Sequence, residues 1–164
     1  MNIWRIHLKA DAIATVDPNE FCIRVGVVGV GWPIDISGIS MPLARELYMQ
    51  KAKNDYNNAI NWRIALNAMI YRIKLDDLIW TRNKNGEYFI GRILSDWYYE
   101  TKKDNIDADT MNIRKCEWYN VGNNVPIEVV NCLKPGRTLQ ASYDCNILQF
   151  SKVAFNKLSG NIIY

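Results

Sequence analysis

The alternation of apolar and polar residues predicts the first strands of the chain. Residues 3–9 alternate in this way, which is typical of a half-buried strand. Residues 26–35 combine three glycines with valine and isoleucine, and they predict a second, closely packed strand. This strand ends in Trp32 and Pro33, and the proline favours an extended backbone at the tryptophan before it. The segment therefore predicts a large aromatic face at a strand end.

The second half of the chain is predicted to consist mainly of strands. The apolar runs at 76–82 and 87–99 flank an Asn-Gly pair at 85–86, which is a strong hairpin signal. Further strands are predicted at 112–121 and 127–133, with a polar loop at 102–110 and a turn at 134–137.

Three regions have helical patterns. Residues 17–25 predict a short helix, opened by an aspartate cap and a proline in its first turn. Residues 43–73 predict two helices, separated by the polar cluster at 54–58, and 143–158 predict the last helix. The second helix of the 43–73 region has an apolar stripe made of Trp62, Leu66, Met69, Ile70 and Ile73.

This order of elements predicts one α+β domain over residues 1–164. The expected shape is a small, strongly curved, mostly antiparallel β-barrel with flanking helices. With 164 residues, 49% of them hydrophobic, the chain can bury a core of its own. It contains neither an apolar run long enough to cross a membrane nor a signal peptide, so we expect a cytoplasmic protein.

Several chemistries are disfavoured by the residue types present. The four cysteines lie far apart, which predicts free buried thiols and no zinc site. The one histidine, His7, lies in the first predicted strand, so most histidine-dependent mechanisms are unavailable. The glycines at 26, 29 and 31 reverse the dinucleotide fingerprint and lead into Trp-Pro, not into a helix. We therefore expect neither a metal nor a cofactor.

Aromatic residues are the most distinctive feature of the composition, with six tryptophans and nine tyrosines. Flat bases stack between such rings. Trp32 and Trp97 each stand beside small polar residues that could hydrogen-bond a base edge. Trp4, Trp62 and Trp80 are expected in the core. The candidate base-binding residues are Trp32, Asp35, Ser37, Ser95, Trp97 and Tyr98.

Basic residues in predicted loops supply candidate phosphate contacts. The net charge of +3 is mild, but it permits a local basic face. Taken one at a time, scattered surface lysines are the commoner explanation. The candidate phosphate-binding residues are Arg82, Lys84, Lys102, Lys103, Lys134 and Arg137.

A metal-dependent nuclease is the alternative function. Glu100 and Lys102 form a Glu-x-Lys pattern after an apolar run, with Asp76, Asp77 or Asp96 upstream. Two carboxylates and a lysine near a strand end can hold a divalent ion and position water. A solvated strand end is the plainer interpretation of the same residues.

Two segments resemble the EVE and YTH-like domains of the PUA superfamily. Residues 27–32 resemble the strand that ends in tryptophan, and 76–82 followed by 88–93 resemble a pair of strands in those domains. The resemblance implies a PUA-like barrel whose aromatic pocket accepts a flipped, modified base. Such modules form the N-terminal specificity domain of modification-dependent restriction proteins of the McrBC type.

The resemblance implies roles for particular residues. Trp32 would be one cage wall and Trp97 or Tyr98 a second, with Asp35 and Ser37 near the base edge. The function expected is a non-enzymatic reader of modified double-stranded DNA, which would work with a motor or nuclease subunit or with a C-terminal domain of that kind. The helical insert at 43–73 departs from YTH readers.

Overall fold

The computed structural model describes residues 1–8, 15–57, 62–134, 136 and 138–164. Seven strands form one sheet in the order β2-β6-β4-β3-β1-β7, and β5 pairs with the start of β6. Neighbouring strands are antiparallel except β1 and β3, which are parallel. The strands are β1 (Ile3–Ile6), β2 (Val27–Val30), β3 (Leu78–Arg82), β4 (Tyr88–Ile93), β5 (Tyr98–Tyr99), β6 (Asn112–Gly122) and β7 (Leu139–Ser142).

Six α-helices flank the sheet in the described part of the chain. One of them, α3, continues directly into a π-helix, Ala68–Arg72. The helices are α1 (Pro18–Val25), α2 (Arg45–Asp55), α3 (Trp62–Asn67), α4 (Lys103–Asp107), α5 (Ile127–Cys132) and α6 (Cys145–Ser159). No helix in these described ranges is long and apolar enough to cross a membrane.

The sheet curls strongly into a half-barrel. This confirms the predicted α+β fold with a curved, mostly antiparallel sheet. The sheet remains open, since β2 and β7 are its two edges. Local signals at the helix ends are also confirmed: Asp17 caps α1 by accepting bonds from two backbone N–H groups, and Gly160 ends α6 in the left-handed conformation.

Both faces of the sheet are covered. The first core lies between one face and the segment that runs from α2 to the π-helix, and the second lies beneath α5 and α6. Trp4 and Ile6 of β1 point into the first core, whereas Ile3 points into the second. The prediction of a half-buried first strand is therefore wrong, because helices lie over both of its faces.

Other segments differ from their predicted structure. Residues 127–133, predicted as a strand, contain α5. Its Val129 and the C-cap residue Leu133 lie one helical turn apart and pack into the second core. The loop predicted at 102–110 contains α4. The strand predicted at 87–99 is divided into β4 and β5, and β7 was not predicted.

The cysteines are all free, as predicted, but their environments differ. Cys22 and Cys116 are buried, and burial raises the pKa of the Cys22 thiol to about 12 and that of Cys116 well above its ordinary value. Cys145 is exposed, which corrects the expectation that every thiol is buried.

We expect these environments to control thiol reactivity. A disulfide reagent at pH 8 should modify Cys145 promptly and leave Cys22 and Cys116 intact, because the thiolate is the reacting species. Mass spectrometry of the modified protein, before and after unfolding in guanidinium, checks this result. Prompt modification of Cys22 in the folded protein would contradict it.

Candidate base-binding site

The backbone at Trp32 has an unusual conformation. Its φ of 63° lies in the left-handed region, so the extended conformation predicted from the following proline is wrong. A bulky residue in this region is a genuine outlier. Such strain costs about 1–3 kcal/mol and persists only where the surrounding structure enforces it.

The enforcing structure is a set of four side-chain hydrogen bonds, here called the clamp. They satisfy consecutive backbone groups of residues 31–34, namely three carbonyl oxygens and one N–H. The clamp consists of Asn112 Nδ2 donating to Gly31 O (2.5 Å), Tyr48 OH donating to Trp32 O (2.8 Å), Tyr56 OH donating to Pro33 O, and Ile34 N donating to Tyr99 OH (3.0 Å).

The clamp residues are themselves held in place by the first core. Asn112 Nδ2 also donates to Tyr48 OH (2.7 Å), and Trp97 Nε1 donates to Asn112 Oδ1 (3.2 Å). The Tyr48 ring packs against the rings of Trp97 and Tyr99. Burial raises the pKa of the Tyr48 hydroxyl, so this group stays protonated and remains a donor. A satisfied buried network of this kind fixes one backbone geometry.

The clamp leaves the side chain of Trp32 half-buried at the rim of the half-barrel. One part of the ring packs against the first core. Within the described ranges, its indole Nε1 forms no hydrogen bond to protein, unlike the indole nitrogens of Trp4, Trp80, Trp97 and Trp118. Trp32 is thus a rigidly placed aromatic group with a polar atom left for a ligand or for water.

Close approach at Gly31 completes this end of the sheet. A Cβ at this position would lie 2.2 Å from Asp109 Oδ1, and a Cβ at Gly29 would overlap the side chain of Ile113. A larger residue at either position would have to displace these side chains. The close packing predicted for this strand is confirmed at these two glycines, where the nearest groups are side chains of this chain and not a ligand.

Asp35 and Ser37 lie exposed on the loop that follows Trp32. Ser37 N donates to Asp35 Oδ1 (2.8 Å), which makes a local turn. The bonds from Ser37 lower the pKa of the Asp35 carboxyl, so this group is ionised at neutral pH. Asp35 is therefore an exposed hydrogen-bond acceptor on the loop that carries Trp32.

The other predicted base-binding residues belong to the framework. Trp97 is only 7% exposed and bonds to Asn112, which corrects the expectation that it forms a second open wall of a cage. Ser95 Oγ donates to Asp96 O and accepts from Lys115 N. Tyr98 is half-buried beside α1, on the face of β5 opposite to the clamp residue Tyr99.

Two of the predicted phosphate contacts lie near this site. Lys102 and Lys103 follow β5 at the end of the sheet that carries Trp32, and both are exposed. Each is paired with a carboxylate: Lys102 Nζ lies 2.9 Å from Glu100, and Lys103 bonds to Asp107. Exposed pairs of this kind are weak and can be exchanged for other anions.

The remaining basic residues lie elsewhere. The strand register places Arg82 opposite Tyr88 and Tyr88 opposite Gly122, whereas Val30 lies opposite Asn112 at the other end of β6. Lys84 is bonded to Glu20 near the same hairpin, and Lys134 is exposed after α5, with its carbonyl oxygen 3.1 Å from the ring of His7. Arg137 lies outside the described residues.

The carboxylates considered for a nuclease have other partners. Glu100 bonds to Lys102 and to the N–H of Thr101, and Asp96 pairs with two arginines. Asp77 is buried and accepts bonds from Asn2, Trp4 and Lys74 near the start of β3. In the part of the chain described, no group of three or more metal-ligating side chains is present. The nuclease alternative stays a prediction.

The structure defines an α+β half-barrel domain with a clamped tryptophan at its rim. The chain belongs to the domain of unknown function family DUF8426, whose profile matches residues 4–144. The match begins within β1, includes the other six strands and ends just before α6. Neither a curated protein nor a solved structure matches the chain. The resemblance to EVE and YTH-like domains stays a prediction.

The clamp residues were missed by the sequence interpretation. Tyr48 lies in α2, Tyr56 lies just after it, and Asn112 begins a strand of alternating pattern, so each has a local role without the clamp. The one available signal was Asn112, a polar residue at the start of a predicted strand. A buried amide is hydrogen-bonded, so such a residue indicates a partner elsewhere in the chain.

Proposed function

We propose that this domain is a cytoplasmic, non-enzymatic reader of modified DNA that stacks a flipped, methylated base on Trp32. The observation that carries the proposal is the left-handed backbone of Trp32, held by the four bonds of the clamp. Strained residues of this kind cluster at ligand-binding sites, where the strain fixes a group in advance of binding. A half-buried indole in a fixed position suits stacking on a flat ligand.

Approximate energies are compatible with base flipping. A base–aromatic stack contributes about 1–3 kcal/mol, and extruding a base costs a few kcal/mol. The clamp has already ordered Trp32 before DNA arrives, so little further ordering cost falls on binding. The part of the flipping cost that stacking does not offset must be balanced by hydrogen bonds to the base edge and by phosphate contacts.

Asp35 supplies the edge contact in this proposal. Its ionised carboxylate can accept a hydrogen bond from the exocyclic amino group of adenine or cytosine. A singly methylated amino group keeps one N–H, so the bond survives methylation while the methyl group gains apolar contact. Lys102 and Lys103 would exchange their surface carboxylates for DNA phosphates. A motor or nuclease subunit, or a further domain, would act on the DNA so marked.

Binding to a panel of duplexes tests the proposal. Each duplex carries one 6-methyladenine, 5-methylcytosine or 5-hydroxymethylcytosine, or no modification, and fluorescence anisotropy measures affinity. We expect one modified duplex to bind about tenfold or more tightly than the plain duplex. Trp32→Ala should remove that preference, and Trp32→Phe should keep part of it.

Tyr143→Ala is the matched control, because it removes another exposed aromatic ring at the β7 edge of the sheet. It should leave the preference unchanged. Equal affinity of the wild-type domain for all duplexes would reject the proposal. Incubating plasmid with the protein and Mg²⁺ or Mn²⁺ separates the alternative: cleavage that is lost in Glu100→Gln would favour a nuclease.

A further inference from the structure

A cavity lies near the other edge of the sheet, apart from Trp32. It has a volume of about 210 Å³. One wall is a helical row with a spacing of four residues, made by Ile64, Ala68 and Arg72, and the other wall is residues 139–141 of β7. Trp4 also lines the cavity, and Tyr143 lies beside it. Besides these apolar side chains the lining contains the Arg72 cation, the Gln140 amide and the Tyr143 hydroxyl, so its accessible surface is more polar than apolar.

The strand that lines this cavity is an edge strand. β7 pairs with β1 on one side, and the described residues form no backbone bonds to its other side. Free N–H and C=O groups along such an edge are a template for another strand. β7 is four residues long, about 13 Å, and the row of residues 64–72 spans about 12 Å, so the two walls match in length.

The charge of the cavity selects the chemistry of its occupant. The exposed guanidinium of Arg72 lies 5.4 Å from the centre of the Trp4 ring, and its Nη2 donates to Tyr143 OH at 3.1 Å. Within the described ranges Arg72 pairs with no carboxylate, in contrast to Lys84, Lys102 and Lys103. The side chain of Tyr143, which is 81% exposed, lies beside this unpaired cation.

We propose that this cavity binds an extended, acidic segment of a partner protein, which adds to the sheet beside β7. Main-chain bonds to the free edge would hold about four residues of the segment. An apolar side chain would enter the cavity above Trp4, and an acidic side chain on the same strand would pair with Arg72. This site and the proposed base-binding site lie at different edges of the sheet, β7 and β2, so each can be tested alone.

The probe is a blocked pentapeptide, Thr-Val-Thr-Glu-Thr, in which valine and glutamate lie two positions apart and therefore on one face of the strand; it is titrated into ¹⁵N-labelled protein and followed by NMR. We expect shifts of the amide signals of residues 139–142 and of 64, 68 and 72. The same peptide with lysine in place of glutamate should bind with an affinity lower by about tenfold or more. Arg72→Gln should abolish this difference. The matched control Lys74→Gln, which removes a neighbouring exposed cation, should preserve it.

A second peptide tests strand addition itself. Methylating alternate peptide nitrogens of the valine–glutamate peptide removes its backbone donors, and binding should be lost. The proposal is overturned if residues 139–142 show no shifts, or if the glutamate and lysine peptides bind equally. It is also overturned if a single-stranded oligonucleotide binds the same residues more tightly than the acidic peptide, which would make the cavity part of a nucleic-acid surface.

Discussion

Replacing Asp77 with alanine should lower the free energy of unfolding by about 3–5 kcal/mol. The residue is 1% exposed and connects three parts of the chain. Its Oδ1 accepts from Asn2 N (2.6 Å), and its Oδ2 accepts from Trp4 Nε1 (2.8 Å) and Lys74 N (3.0 Å). Removing the carboxylate leaves these donors without their partner, and each buried donor left unpaired costs about 1–3 kcal/mol.

Urea denaturation followed by circular dichroism measures the Asp77 effect. Asp76→Asn is the matched control, because the adjacent Asp76 side chain is 65% exposed and its φ of 63° suits asparagine. The control should stay within about 0.5 kcal/mol of wild type. Similar losses for both variants would show that Asp77 does not have the structural role assigned to it.

Replacing Asn112 with alanine should lower the free energy of unfolding by about 2–4 kcal/mol and also weaken the recognition of modified DNA. The amide of Asn112 bonds to Gly31 O, Tyr48 OH and Trp97 Nε1, so three partners lose a bond at once. Without the first of these bonds, the backbone at Trp32 can relax from its left-handed conformation. The indole then remains present but is no longer held in place.

Asn120→Ala provides the comparison for Asn112, because Asn120 lies near the other end of β6 and is exposed. It should cost about 0.5 kcal/mol or less in urea denaturation and leave the DNA preference intact. If Asn112→Ala lowers stability but keeps the full preference for modified DNA, the clamp serves the fold alone.

The elements that were predicted correctly carry their signals locally. Asp17 and Pro18 specify the start of α1 within a single turn, and the Asn-Gly pair specifies the β3–β4 hairpin, where Gly86 has a φ of 87°. The stripe from Trp62 to Ile73 predicts the buried face of α3 and the π-helix, all of which is buried. In each case the residues that decide the structure are neighbours in the chain.

The elements that were missed depend on distant partners. β7 has the sequence Leu-Gln-Ala-Ser, which carries little strand preference, and its strand conformation follows from pairing with β1. The apolar run of α5 is too short for periodicity to distinguish a helix from a strand. Packing into the second core decides that this segment is a helix. The sequence alone does not show which faces of the sheet will be covered by helices.

The residues of the candidate site also fall into those with a local sequence signal and those that depend on distant partners. Trp32 could be predicted, because an aromatic residue at the end of a glycine-rich strand is a local pattern. Trp97 was misplaced, since a nearby serine and aspartate do not reveal that the ring packs on Tyr48. The clamp donors Tyr48, Tyr56 and Asn112 lie 16, 23 and 81 residues from the carbonyl groups they hold, so only the folded sheet brings them together.

The position of β1 affects the order in which the chain can fold during synthesis. This strand pairs with β3 on one side and with β7 on the other, so that Ile3 lies opposite Leu78 and opposite Ser142. β1 is synthesised before both partners and must therefore wait for residues made much later, and its apolar faces stay exposed to solvent and to other chains in the meantime. Such distant pairings close large loops and are intrinsically slow. The sheet is completed only once β7 has been synthesised.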